Sequence, residues 1–106
     1  MIKQNFDDFD DFYLFYLSQH LNITCRWLHF IGLISSLIAL AVISGTSHWL
    51  YLPIPLLIGY GLAWIGHFFF EKNKPATFNH PLWSFLGDFV MFKDMLTGQI
   101  KSYNID

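Results

Sequence analysis

The chain has 106 residues, room for one domain, of which 54% are hydrophobic, 20% aromatic and only 13% charged, whereas soluble domains carry roughly a quarter charged residues. A formal charge of −2, with 6 basic residues that form no stripe to follow phosphates, argues against a nucleic-acid partner, and none is expected. Cys25 is the only cysteine, which excludes intramolecular disulfides and thiolate zinc clusters.

A soluble chain this short would struggle to hide so much apolar surface. The composition points instead to an all-α integral membrane protein, one domain over residues 1–106 with the lipid bilayer as its partner. The first predicted element, about residues 6–20, repeats Phe6, Phe9, Phe12, Tyr13, Tyr16 and Leu17 at three- and four-residue spacing, an amphipathic helix expected along the membrane surface. Asn5 is a candidate cap, and Asp7, Asp8, Asp10 and Asp11 suit the positive end of the helix dipole. The same aspartates stand where a removable signal peptide would carry basic residues.

No Asp, Glu, Lys or Arg occurs from Trp27 to Phe70, a gap of 44 residues. One crossing needs about 20 apolar residues, so the gap is sized for two. Gly45-Thr46-Ser47-His48 breaks it near the middle. The reading is a two-span transmembrane hairpin, about residues 27–44 and 49–70, with Pro53 and Pro55 kinking or delaying the start of the second span. Two buried helices of a soluble bundle are the alternative, disfavoured by such length without charge. Pro81 then opens a last helix, about residues 81–96, stopped by Thr97-Gly98. It carries Asp88, Lys93 and Asp94 and is expected in the interface or packed under the hairpin; Asp88 reads as a charge paired with a nearby lysine. Lys3, Arg26, Lys72, Lys74, Lys93 and Lys101 all lie outside the hairpin, which puts both termini on the cytoplasmic side of a bacterial inner membrane or the endoplasmic reticulum alike. Trp27, Trp49 and Trp83 suit interfacial anchors.

Folding the hairpin gathers four of the five histidines at one end. His29 lies 16 residues before Gly45 and His67 lies 18 residues after Trp49, so antiparallel helices rising about 1.5 Å per residue bring them to nearly one depth. His20 precedes the first span, His80 follows the second, and His48 sits at the opposite end. Gly59, Ala63 and His67 share one face of the second span, and His29, Gly32 and Ser36 share one face of the first; small residues mark where helices approach closely. Glu71 is placed one α-helical turn beyond His67. His20 and His29 are nine residues apart, on opposite sides of any continuous helix, so they converge only if the chain breaks at Asn22 or Thr24. Such a group of imidazoles, with an optional carboxylate, suits iron, zinc, copper or nickel. A lone interfacial histidine is more often a snorkelling polar tip, but four on one side shift that balance.

The residues also carry a pattern: Phe15-Tyr16, His20, Asn22, His29 and Gly32, then Gly59-Tyr60-Gly61, then Ala63-Trp64-Ile65-Gly66-His67-Phe68-Phe69-Phe70-Glu71-Lys72-Asn73-Lys74-Pro75-Ala76, then His80-Pro81, Ser84, Gly87-Asp88-Phe89, Asp94-Met95 and Thr97-Gly98. This resembles the 2-hydroxy fatty acid dioxygenase-like family from about Phe15 to Gly98, with Ile23 and Cys25 standing where the family is expected to have Pro and Asn. The resemblance implies an iron(II)-dependent enzyme of fatty acid α-oxidation that converts a 2-hydroxy fatty acid and dioxygen to carbon dioxide and the acid one carbon shorter. It implies His20, His29 and His67 as the family's histidines, with His80 matching its short members; the mechanism read from the residues makes the first three metal ligands, His80 a fourth, and Glu71 a catalytic-site partner that fixes an imidazole. The rival readings are a haem held between the helices, a zinc-dependent hydrolase with Glu71 as base, and a non-catalytic membrane protein. A homodimer is compatible with so thin a shell around a site.

Overall fold

The computed structural model describes residues 6–102, and every regular element within them is helical. Helix α1 spans Phe9–Ser18 and starts later than its apolar repeat does, because Asp8 is its cap: the Asp8 carboxylate accepts from the Asp11 backbone N–H at 2.8 Å. The expected cap, Asn5, lies outside the described residues. The apolar face of α1 is spent inside the protein. Phe12, Tyr13, Tyr16 and Leu17 are buried against Ala76, Met91 and Ile100, each large side chain contributing on the order of 1.5–3 kcal/mol relative to water.

Helix α2 spans Ile23–Gly45. Asn22 is the break that the histidine spacing demanded, its side chain accepting from the backbone N–H groups of Thr24 (2.9 Å) and Cys25 (3.2 Å). The helix therefore starts four residues before Trp27, and 23 residues at about 1.5 Å each exceed the roughly 30 Å of a bilayer core. After a turn in which Ser47 adopts φ 59°, the second apolar stretch is built in three pieces. Trp49–Tyr51 is a 3₁₀ turn, α3 runs Pro53–Ile65, and the helix continues as a π-helical segment, Gly66–Glu71. Pro53 stands at the start of α3, where a missing N–H has no partner to lose.

α2 and α3 run antiparallel in close contact. The Ser36 hydroxyl lies 2.7 Å from the Gly32 carbonyl and 2.8 Å from that of Pro55. A Cβ at Gly59 would fall 2.7 Å from Ser36 Oγ, so only glycine permits this approach. The large apolar side chains of the pair face outward: Ile38 is 60% exposed and Leu57 71%, while α2 buries Cys25, His29, Gly32 and Ile43. Two helices long and apolar enough to span a bilayer, apolar outside and polar or small inside, suggest a membrane protein.

Helix α4 spans Pro81–Thr97 and ends on Gly98 at φ +79°. Two tyrosine–carboxylate bonds pin it to α1. Tyr13 donates to the buried Asp94 at 2.6 Å, Asp94 being ion-paired with Lys93 at 3.1 Å, and Tyr16 donates to Asp88.

Candidate metal centre

Each histidine of the centre is delivered by a different local device. His20 follows α1 in the short link to α2, and its backbone is held by Leu17, whose carbonyl it meets at 3.0 Å, and by the Arg26 guanidinium, which donates to the His20 carbonyl at 2.5 Å. His29 lies on the second turn of α2. His67 lies in the π-helical segment, whose i→i+5 bonding widens the helix and re-aims its side chains. The three imidazoles, 1%, 8% and 1% exposed, meet with ring centroids 4.4, 4.5 and 4.9 Å apart and planes close to perpendicular.

What decides the chemistry is where each Nδ1 points. His20 Nδ1 lies 2.6 Å from the Tyr16 carbonyl, His29 Nδ1 2.9 Å from the Cys25 carbonyl, and His67 Nδ1 2.7 Å from Asn73 Oδ1. The Asn73 amide is oriented by its Nδ2, which donates to both oxygens of Gln19 at 3.2 Å. All three partners are acceptors, so each imidazole carries its proton on Nδ1 and keeps a lone pair on Nε2. His20 Nε2 and His29 Nε2 then face each other at 3.1 Å with no proton of their own between them. Two lone pairs so placed repel, and a cation removes the repulsion. Imidazole nitrogens bound to one first-row metal at about 2.1 Å lie roughly 3 Å apart when adjacent, so the donor set fits one ion. Burial, and then the neighbouring His29 and His67, hold the His20 imidazole well below its ordinary pKa, keeping it neutral and ligand-competent.

Cys25 joins the group. Its thiol and the three imidazoles offer atoms all within 4.8 Å of one another. The Sγ sits 3.7 Å from His29 Nδ1. A Cβ at Gly66 would fall 2.9 Å from this sulfur, which is why glycine stands there. The sequence reading passed over Cys25 as a lone cysteine, although its i, i+4 spacing to His29 was the available signal.

His80 does not join. Its ring packs on Phe12 (centroids 5.4 Å) and stacks on Trp83 (6.3 Å), and its backbone carbonyl accepts from Ser84 N–H at the start of α4 (2.8 Å). His48 is at the far end, bonded to Thr46 Oγ1 at 2.7 Å. Glu71, expected to orient an imidazole, accepts instead from the Asn22 backbone N–H at the start of α2. That bond ties the end of the π-helical segment to the start of α2. Asn73 meets His67 instead. Lys72 enters the left-handed region at φ 60°, and the reversed chain brings Asn73 back onto His67 with both its side chain and its backbone N–H, which donates to the His67 carbonyl at 3.0 Å.

Among the three rings is a cavity of about 10 Å³, the size of one water or ion. Its walls include Tyr60, Ser84 and Asp88. Asp88 is bonded to Tyr16, not to a lysine, and burial raises its carboxyl to about 7 against the opposing effect of the Tyr16 hydrogen bond. Tyr16 is pushed well above the ordinary phenol range by its own burial and then by Asp88.

A family model described as 2-hydroxy-palmitic acid dioxygenase Mpo1-like matches residues 6–100. No curated protein and no solved structure matches the chain.

Proposed function

This chain belongs to the Mpo1-like family, as its sequence pattern suggested, and from that premise we propose that it is an iron(II)-dependent membrane dioxygenase that shortens 2-hydroxy fatty acids by one carbon. The single observation that carries the reading is the convergence of three Nδ1-anchored imidazoles with two Nε2 atoms at 3.1 Å. His20, His29 and His67 hold the metal through Nε2. When bound, iron(II) supplies open positions and electrons for the reaction of dioxygen with a 2-hydroxy carboxylate. The overall step balances without another reductant: R–CH(OH)–COOH and O₂ give R–COOH, CO₂ and H₂O, with the C1–C2 bond broken and C2 oxidised to the new carboxyl.

The remaining roles belong to the protein's own groups. Tyr16, Cys25 and Asn73 hold the three Nδ1 protons through their carbonyl or amide oxygens and so keep each Nε2 lone pair turned inward. Asp88, raised to about 7 and lining the same cavity, accepts the proton of the substrate's 2-hydroxyl near neutrality, with Tyr16 donating to the carboxylate that takes it up. The head group is handled at the end of the helix pair where the histidines meet, which the placement of the basic residues assigns to the cytoplasmic side, while the tail stays at membrane depth. Zinc suits the same imidazoles. A zinc hydrolase built on Glu71 is less well supported, because that carboxylate is engaged at the start of α2. A haem is poorly accommodated, since Nε2 atoms 3.1 Å apart leave no room for a macrocycle between them.

The test is turnover of 2-hydroxypalmitate by detergent-purified protein loaded anaerobically with iron(II), with His67→Ala as control. The acid one carbon shorter should appear only with oxygen and only in the wild type. Tight iron binding without product would overturn the substrate assignment, and absence of both would overturn the metal assignment.

A further inference from the structure

A second cavity, of about 210 Å³, runs along the α2–α3 pair on the side covered by α4. It shares His29, Tyr60, Ala63 and Asp88 with the small cavity among the imidazoles, so the two are adjacent and divided only by these side chains. Its polar groups stand at that shared end. Beyond them the walls are apolar, Leu33, Leu37 and Leu40 from α2 facing Pro55 and Leu56 from α3. Ser36 also lines it, but its hydroxyl is engaged by the carbonyls of Gly32 and Pro55. The cavity is thus amphiphilic in one direction, polar at the imidazoles and apolar toward the Ser47 turn. Leu37 and Leu56, at 39% and 58% exposure, leave it open sideways to the surroundings of the helices.

We propose that this groove seats the acyl chain of the substrate, entered sideways from the bilayer with the carboxylate leading to the imidazoles; the assignment rests on the function proposed above. From His29 to Leu40 is eleven residues, about 16 Å of helix. A staggered chain of C–C bonds near 1.5 Å advances about 1.25 Å per carbon, so the groove takes roughly the first thirteen carbons. A chain leaving lipid for this groove exchanges one apolar environment for another, so the groove confers orientation more than affinity. It fixes C1 and C2 at the imidazoles while longer tails pass out beyond Leu40 into lipid.

The experiment uses metal-free protein in lipid nanodiscs and 2-hydroxypalmitate carrying a photoreactive diazirine at C10, with labelled residues mapped by mass spectrometry. Labels are expected on Leu37, Leu40, Pro55 and Leu56, and few on the lipid-facing Ile38 and Leu57. Leu37→Trp, which fills the groove, should cut groove labelling about tenfold, and Leu57→Trp should leave it unchanged. A melting scan checks that both variants fold. Labels spread evenly around both helices, or undiminished in a folded Leu37→Trp, would overturn the groove. If labels fall in the groove but the wild type does not turn over 2-hydroxypalmitate, the acyl seat stands and the proposed reaction fails. If turnover occurs with scattered labels, the reaction stands and the acyl seat fails.

Discussion

Replacing Asn73 with alanine removes the acceptor of His67 Nδ1–H at 2.7 Å and the two donations to Gln19 at 3.2 Å. The backbone N–H of residue 73 still reaches the His67 carbonyl, so the chain reversal at Lys72 survives and the variant separates ring orientation from fold. Losing the partner that orients a metal-bound imidazole typically costs 10- to 100-fold in affinity, about 1.4–2.8 kcal/mol. The freed ring can also take the other tautomer, with a proton on the nitrogen that should bind. The assay is competitive titration of cobalt(II) or anaerobic iron(II) against a chromophoric chelator, with the purified protein in detergent. Asn73→Ala should bind about 10- to 100-fold more weakly than wild type. Asn73→Asp, which restores an acceptor and makes the ring more basic, should recover most of that loss. Equal affinity for Asn73→Ala and wild type would refute the claim that Asn73 turns His67 Nε2 toward the metal.

Three further outcomes test other parts of the molecule. His80→Ala should keep its metal affinity within about twofold while lowering stability by about 2 kcal/mol through lost packing on Phe12 and Trp83; a large loss of metal with folding intact would place His80 back among the ligands. Gly59→Ala should destabilise the α2–α3 pair by about 1–3 kcal/mol because its Cβ would lie 2.7 Å from Ser36 Oγ, and most of that cost should vanish in a Ser36→Ala background, a coupling read from a double-mutant cycle in denaturant or steric-trap unfolding. Asp88 has a carboxyl raised to about 7 from 3.8, so the folded chain binds the extra proton and the stability associated with it is lost as pH rises from about 4 through 7. Asp88→Asn should therefore gain on metal-free wild type between pH 5 and 8, by about 2 kcal/mol at the upper end; a constant difference across that range would remove the buried carboxyl as its cause.

Three of the imidazoles that meet were legible in the sequence from depth alone. His29 and His67 lie at matching distances from the turn, and Asn22 supplies the cap that lets His20 swing in. The partners of those imidazoles were not legible in the same way. Glu71 has the right α-helical spacing from His67, yet its carboxylate accepts from the Asn22 backbone at the start of α2, and Asn73 meets His67 instead. Asp88 looks like a surface charge on a helix rich in polar ends, and only the packing of α4 on α1 puts it against Tyr16 and beside the imidazoles.

The sequence by itself determined the helical class, the two apolar helices of bilayer-spanning length, and the start of α4 at Pro81. Charge exclusion, capping and helical rise act over a few residues or along one axis, and residue spacing records them directly. Tertiary structure alone decided that the His80 ring packs on Phe12 and Trp83, that Cys25 and Asn73 lie beside the three imidazoles, and that a cavity lined in part by His29 runs between α2, α3 and α4. Those outcomes depend on how each helix is rotated about its axis when packed, which is set by contacts such as Ser36 with Gly59 and Cys25 with Gly66, between residues far apart in the chain.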